Sequence, residues 1–301
     1  MRIVFIGQAA FGKDSLDRLI QQGENVVGAI TVAGKAGQPV KEAAESKQLP
    51  VLQPGRLKNS EPLEWVRRLA PDLLVLAFVT DFVPKEMIAL STFGGINYHP
   101  SLLPKYRGGS AINWAIIKGE TETGVTIHQI DDGVDTGPIV LQQKVAIAPD
   151  DTVKTLYFQK LYPLGVEMVA QAVRLIGEGR ARPVPQDHSQ ASFQPVIKES
   201  DVIIDWYQPT RKIYDMIRGS NPSPGTVSWV AGEKIKIWEA KPWTGGGNPG
   251  EIVEITSAHG VEIATGDGSL LAQRVEYRDS GKIPAGDLIP RLGLKAGDRL
   301  G

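Results

Sequence analysis

Cysteine is absent from the 301 residues of this chain. That absence excludes disulfide scaffolds, thiolate nucleophiles and cysteine-based zinc sites. An excess of charge is missing too: 33 Lys+Arg against 34 Asp+Glu leave a net charge of -1. Such a balance gives no sign of a polyanion-binding protein, although a local basic patch remains compatible with it. No apolar run approaches the roughly 20 residues of a membrane span. The opening Met1-Arg-Ile-Val-Phe-Ile-Gly7 is too short in apolar length for a signal peptide and is expected to be a first β-strand. The four histidines, His99, His128, His188 and His259, are too scattered to suggest a metal site. The expectation is a cytoplasmic, metabolite-handling protein with no metal.

Hydrophobic residues make up 42% of the chain, enough for ordinary globular cores, and the length suits two domains. Residues 2–6, 26–32, 72–78 and 95–98 read as buried strands. Helical spacing separates them at 15–23, 41–47, 61–69 and from 84 to about 90. Strands alternating with helices at this pace predict an α/β fold, a Rossmann-like parallel sheet covered on both faces. Ser110 is expected to cap a helix at 111–118. Residues 124–130 and 138–147 should be an antiparallel pair, followed by a long helical region from 150 to 177. A stretch rich in Pro, Gln and Ser, 183–204, reads as a linker between a catalytic domain, 1–182, and a C-terminal domain, 205–301. Short β-type runs in that last part suggest a small barrel.

Several motifs fail on inspection. Gly7-Gln-Ala-Ala-Phe-Gly-Lys13-Asp14 nearly spells a phosphate-binding loop, but Asp14 stands where a hydroxyl is needed and its charge would repel a phosphate. The dinucleotide fingerprint G-x-G-x-x-G is missing. Asp131, Asp132 and Asp135 lack the ligand spacing of a calcium loop, and aspartates beside glycine also serve turns. His128 alternates along a predicted strand and reads as structural. Lys105, Arg107 and Gly108 form a cationic loop that suits either an anionic part of a substrate or simple solvation.

Asn97 and His99 are different. At i and i+2 on one strand their side chains share a face, where the strand stops at Pro100. Asp135, in the glycine-rich Asp131-Asp-Gly-Val-Asp-Thr-Gly137, could bring a carboxylate to that imidazole. A hydrogen-bond donor, a titratable ring and a carboxylate are the parts that move a carbonyl-level group between nucleophiles. The alternative for His99 is a strand-end histidine bonding a loop carbonyl.

Taken together, Gly7-Gln8…Phe11-Gly12, Asn97-Tyr-His-Pro-Ser-Leu-Leu-Pro-Lys-Tyr-Arg-Gly108, Asp131 to Gly137, Pro149-Asp-Asp-Thr152 and Pro222-Ser-Pro-Gly225 resemble the folate-dependent formyltransferase family. The resemblance covers nearly the whole chain. It implies a Rossmann-like catalytic domain with a C-terminal OB-like barrel, and 10-formyltetrahydrofolate as formyl donor. It also implies Asn97, His99 and Asp135 as catalytic residues. It places the folate against Leu76, Ala77, Phe78, Val79, Ile130, Asp131, Asp132 and Gly133, at the carboxyl ends of the strands. Acceptor binding would fall to Gly7, Gln8, Phe11, Ser101, Leu102, Leu103, Arg107 and Gly108. In the implied mechanism Asp135 holds the His99 ring and raises its pKa.

The acceptor is left open: methionyl-tRNA, an amino sugar or another amine, or water, as in the hydrolase domain of 10-formyltetrahydrofolate dehydrogenase. Gly7-Gln-x-x-Phe-Gly and Ser110-Ala-Ile-Asn-Trp114 look most like that hydrolase domain, whereas Asn97 is the transferase pattern. A non-catalytic folate-binding protein would not need Asn97, His99 and Asp135 together. The stretch 31–39 is short with one lysine, and residues 205–301 hold twelve Lys+Arg against twelve Asp+Glu, so no clear nucleic-acid patch is expected.

Overall fold

A computed structural model describes residues 1–230, 232–256 and 259–301. The chain divides into two compact units. One comprises Met1–Gly108, Gly124–Val145 and Phe158–Phe193; the other comprises Gly109–Thr123, Ala146–Tyr157 and Gln194–Gly301. The expected linker, 183–204, divides between the two units. Up to Phe193 it packs with the first unit, and from Gln194 with the second.

The first unit is built on a seven-stranded sheet. In spatial order its strands are Val51–Leu52, Asn25–Ile30, Arg2–Gly7, Leu73–Ala77, Gly95–His99, Glu122–Gln129 and Ile139–Ala146. The first five run parallel, and Glu122–Gln129 joins them antiparallel. Strands covered on both faces read as continuous apolar runs rather than alternating ones. Leu73–Ala77 is buried at every residue, and Arg2–Gly7 at every residue after the first. The helix Ala9–Gln21 lies over the sheet through Phe11, Leu16 and Leu19. A second helix, Ser60–Leu69, approaches so closely that a Cβ at Gly28 would fall 2.6 Å from the Trp65 ring.

Ser110 does not cap its helix. Its backbone is left-handed (φ 56°) and its Oγ accepts the Ile197 N–H at 3.1 Å instead, so Ala111–Ile117 starts without a side-chain cap. The expected helical region past 150 is capped by Thr152, whose Oγ1 accepts from Thr155 N.

The second unit carries an antiparallel sheet of Thr226–Val230, Glu233–Trp243, Ser269–Tyr277, Gly260–Ala264 and Ile252–Thr256, with Ile283–Pro284 paired to Ser269–Tyr277. The residues 298–301 close it. Gly301 N donates to Trp229 O (2.8 Å) at one edge of the sheet, while Leu300 N donates to Gly250 O (2.9 Å) and Asp298 O accepts from Ile252 N (2.8 Å) at the other. Bridging both edges removes the unpaired N–H and C=O groups that an open sheet would expose. Ile235, Ile263, Leu270 and Leu300 fill the interior together with Ile213 and Ile217 of the helix Thr210–Gly219.

One close approach sets the strand that carries Asn97 and His99. Gly165 lies on the Tyr98 ring, where a Cβ would come within 2.4 Å of Cε2, and the Phe11 ring packs on Tyr98 with centroids 4.2 Å apart. Gly165→Ala should therefore cost about 1–3 kcal/mol by overpacking. Denaturant unfolding checks this, and unchanged stability would show that Tyr98 has room to move.

Candidate active site

Antiparallel pairing puts Asn97 opposite His128 and His99 opposite Thr126. Directly paired residues share a face of the sheet, so Asn97, His99 and His128 project together. Ile130 N donates to Gly95 O (2.8 Å), and the loop that follows turns back so that Asp135 reaches all three. The cluster thus lies on one face of this strand pair, at the carboxyl end of the parallel strand Gly95–His99, and the Asp135 loop, launched from beside Gly95, turns back to reach it.

Asp135 is the hub. Its Oδ2 accepts the Gly108 N–H at 2.9 Å and lies 3.4 Å from His99 Nδ1. Its Oδ1 lies 3.3 Å from His128 Nε2 and 3.4 Å from Asn97 Nδ2. Burial pushes this carboxyl up, but the His128 hydrogen bond, the His99 charge and the Gly108 N–H outweigh it and hold the pKa at about 2. His99 is 5% exposed, and its Nε2 meets the Tyr106 carbonyl at 2.7 Å. The strand-end reading of His99 is therefore met as well: it does bond a loop carbonyl. A short contact at Nε2 and a long one at Nδ1 place the proton of the neutral ring on Nε2, leaving the Nδ1 lone pair toward Asp135.

Asp135 does raise the His99 pKa through its charge, as expected, but the net shift is downward. Burial is the largest influence and lowers the pKa, while the Asp135 charge and the Tyr106 carbonyl offset only part of that. The ring is held chiefly by Tyr106, not by Asp135. His128, read as structural, belongs to the cluster. Its Nδ1 is fixed by Gln129 O at 2.7 Å, turning Nε2 to Asp135 and Asn97. The signal that could have found it is the strand register, which places it across from Asn97.

The surrounding loops bend in ways side chains rarely adopt. Phe78, Tyr106 and Asp135 have φ of 61°, 58° and 54°. Left-handed backbone at non-glycine residues costs about 1–3 kcal/mol each and gathers at functional sites.

Of the positions expected to contact folate, Leu76 and Ala77 are buried strand residues, whereas Phe78 is 43% exposed. Ile130 packs into the sheet core, and its Cδ1 would meet a Cβ at Gly95 within 2.8 Å. Asp131 is occupied in its own turn by Thr136 Oγ1 and Gly133 N, and at Gly133 a Cβ would strike Thr136. Asp132 pairs with Lys85 at 2.7 Å, joining the 131–134 loop to the segment after Phe82. Phe78, Phe82 and Val134 are exposed on these loops.

Among the positions expected to contact the acceptor, Gln8 and Gly7 help line a cavity of about 230 Å³ with Thr31, Arg56, Val79 and Asp81. None of Asn97, His99 and Asp135 lines it. Phe11, Ser101 and Leu103 are corrected. Phe11 is buried against Tyr98 and Tyr162. Ser101 Oγ bonds Lys105 O at 2.7 Å, and Leu103 O accepts from Gln142 Nε2 at 2.9 Å. Phe11 is buried on the helix Ala9–Gln21, while Ser101 and Leu103 are buried in shaping the loop. Leu102 packs over Gly124, and Arg107 is buried against Gln186 and His188. The near phosphate-binding motif is structural: Lys13 pairs with Asp14 and Asp17, and Gly7 lies under the Phe5 ring. Among the described residues no group of three or more His, Asp or Glu is disposed to hold a metal ion, and no helix is long and apolar enough to cross a membrane.

Residues 1–173 match the family model described as formyl transferase, and residues 196–292 match the formyl transferase C-terminal domain. The methionyl-tRNA formyltransferase of Citrifermentans bemidjiense is 36% identical over 309 residues, covering 100% of this chain and 96% of that protein. That of Trichlorobacter lovleyi is 36% identical, covering 99% and 96%. Two solved structures share the fold. HypX from Aquifex aeolicus in complex with tetrahydrofolic acid has a TM-score of 0.71 at 21% identity over 98% of this chain, which spans 48% of that longer protein. The N-formyltransferase from Helicobacter canadensis, in complex with folinic acid and dTDP-3-aminofucose, has 0.69 at 19%, covering 90% of this chain and 98% of that one.

A ring nitrogen with depressed basicity makes a direct prediction. His99 should titrate below pH 6.5, its ordinary value, followed by NMR of labelled histidine. The unfolded chain then binds this proton first, so stability falls as pH drops through 6.5. Asp135 adds a loss in the same direction between its ordinary 3.8 and about 2. A His99 midpoint above 6.5 would mean that Asp135, not burial, governs the ring.

Proposed function

The chain belongs to the formyl transferase family, and from that premise we propose how its residues move a formyl group from 10-formyltetrahydrofolate to the α-amino group of methionyl-tRNA. The observation that carries the chemistry is the convergence of Asn97, His99 and Asp135 on one face of the Gly95–His99 strand. The acceptor rests on similarity to methionyl-tRNA formyltransferases over essentially the whole chain.

As the amine nitrogen bonds to the formyl carbon, Asn97 Nδ2 donates to the oxygen that gains charge. Its present contacts, both 3.4 Å long, are weak enough to exchange. His99 Nδ1 takes the proton leaving the amine, because Nε2 is committed to the Tyr106 carbonyl. Asp135 stabilises the imidazolium so formed. His99 then returns the proton to the folate nitrogen as its bond to the formyl carbon breaks.

Asn97→Ala should lower kcat about 10²–10³-fold, the usual loss for one oxyanion donor. Tetrahydrofolate affinity should change less than about twofold, since the contact strengthens only in the transition state. Stopped-flow single turnovers with and without methionyl-tRNA measure both, and full activity in this variant would remove Asn97 from the reaction.

With one lysine in residues 31–39 and balanced charge beyond 205, methionyl-tRNA binding should depend only mildly on salt, as for few phosphate contacts. Titrations across a salt series test this. Formyl transfer to an amino sugar or to water but not to methionyl-tRNA would overturn the acceptor while keeping the donor chemistry.

A further inference from the structure

Between residues 182 and 190 every side chain is exposed except one, Gln186, which is 5% exposed. A segment with so little to bury hydrophobically buries a carboxamide, and both ends of that carboxamide are used. Oε1 accepts from Arg107 Nη2 at 2.6 Å and Nε at 3.1 Å. Nε2 donates to Asp135 O at 2.9 Å and to Gly137 O at 2.7 Å. Glutamine suits this place because it joins a two-proton donor to an acceptor on one long side chain.

The segment is pinned on either side of Gln186. Val184 exchanges backbone hydrogen bonds with Ile139 at 2.8 and 2.9 Å. Ser192 receives Tyr106 N on its Oγ and Arg107 N on its carbonyl, both at 2.8 Å. Arg107 is itself buried, and among the described residues its guanidinium bonds to Gln186 and His188 Nδ1, not to a carboxylate. Its cation therefore anchors Gln186.

These contacts close a ring through the site. His99 Nε2 donates to the Tyr106 carbonyl, Arg107 follows in the chain, and Gln186 ties Arg107 to the Asp135 backbone. The Asp135 carboxylate then faces His99 Nδ1 again. The Asp135 turn is left-handed and would relax if its carbonyls were released. Gln186 thus links the turns that carry both partners of the His99 ring while touching neither imidazole nor carboxylate.

We propose that Gln186 is a positioning residue for formyl transfer, locking the Asp135 turn to the Arg107 turn and so fixing the carboxylate relative to His99. The inference rests on the roles proposed for Asn97, His99 and Asp135.

The test compares Gln186→Ala and Gln186→Glu with the wild type in the full chain. The glutamate keeps an acceptor for Arg107 but loses both N–H donors to the Asp135 and Gly137 carbonyls. In both variants kcat should fall about 10- to 100-fold, the scale of a displaced catalytic group. Tetrahydrofolate should bind within about twofold of wild type, as a change confined to the chemical step implies. The NMR titration midpoint of His99 should shift in both, and downward in Gln186→Ala as the Asp135 charge moves away. Wild-type kcat and an unmoved His99 midpoint in either folded variant would overturn the proposal. Failure of both to fold would overturn it too, by making Gln186 a structural residue alone. If the wild type transfers no formyl group, the functional reading fails, and the His99 midpoint still decides whether Gln186 positions Asp135.

Discussion

A carboxylate taken out of water destabilises a fold unless its oxygens are met by donors, and the site depends on how Asp135 satisfies that demand. One oxygen takes the Gly108 N–H and the other faces His128 and Asn97. Each of these partners belongs to a different piece of chain. The strand Gly95–His99 brings Asn97, its antiparallel partner brings His128, and the turn after Tyr106 brings Gly108. Satisfying the charge therefore assembles the site. The left-handed turns at Tyr106 and Asp135 are the local cost of that convergence, held in place by the surrounding hydrogen bonds.

Legibility followed the range of each interaction. Asn97 and His99 stood out because a strand fixes the side of i and i+2 side chains before any tertiary contact forms. Asp135 lies in a glycine-rich loop whose path no period encodes, and only the family resemblance singled it out. His128 was passed over because its place comes from cross-strand register, which depends on a partner strand rather than on its own neighbours. Gln186 sits in an aperiodic stretch, so nothing local marked it as buried. Phe11, Ser101 and Leu103 erred the other way: a shared motif marked them, while packing explains them. The parallel strands were legible as doubly buried apolar runs. The closing bridges at 298–301 were not, since they are isolated pairs without a period.

Electrostatic character differs between the site and the rest of the chain. Beyond 205 the charges balance, and buried ones such as Arg218 and Asp215 pair with each other at 2.7 Å. Arg107 does not follow that rule. It is buried on neutral acceptors, which hold a guanidinium in place without cancelling its charge.

The basicity of His99 follows from the same arrangement. Burial alone would make the ring a poor proton acceptor, and in the resting site it does hold the ring neutral. Neutrality is what a general base requires before reaction, because a protonated ring has no lone pair to offer. In the proposed reaction, positive charge appears at Nδ1, the ring nitrogen that faces Asp135, as the amine loses its proton. The carboxylate is already ionised and oriented, so it stabilises the imidazolium more than the neutral ring, without reorganising at that moment. The Tyr106 carbonyl contributes to both states, since Nε2 keeps its proton throughout. It therefore sets the ring's direction, and Asp135 supplies the difference between ground state and transition state.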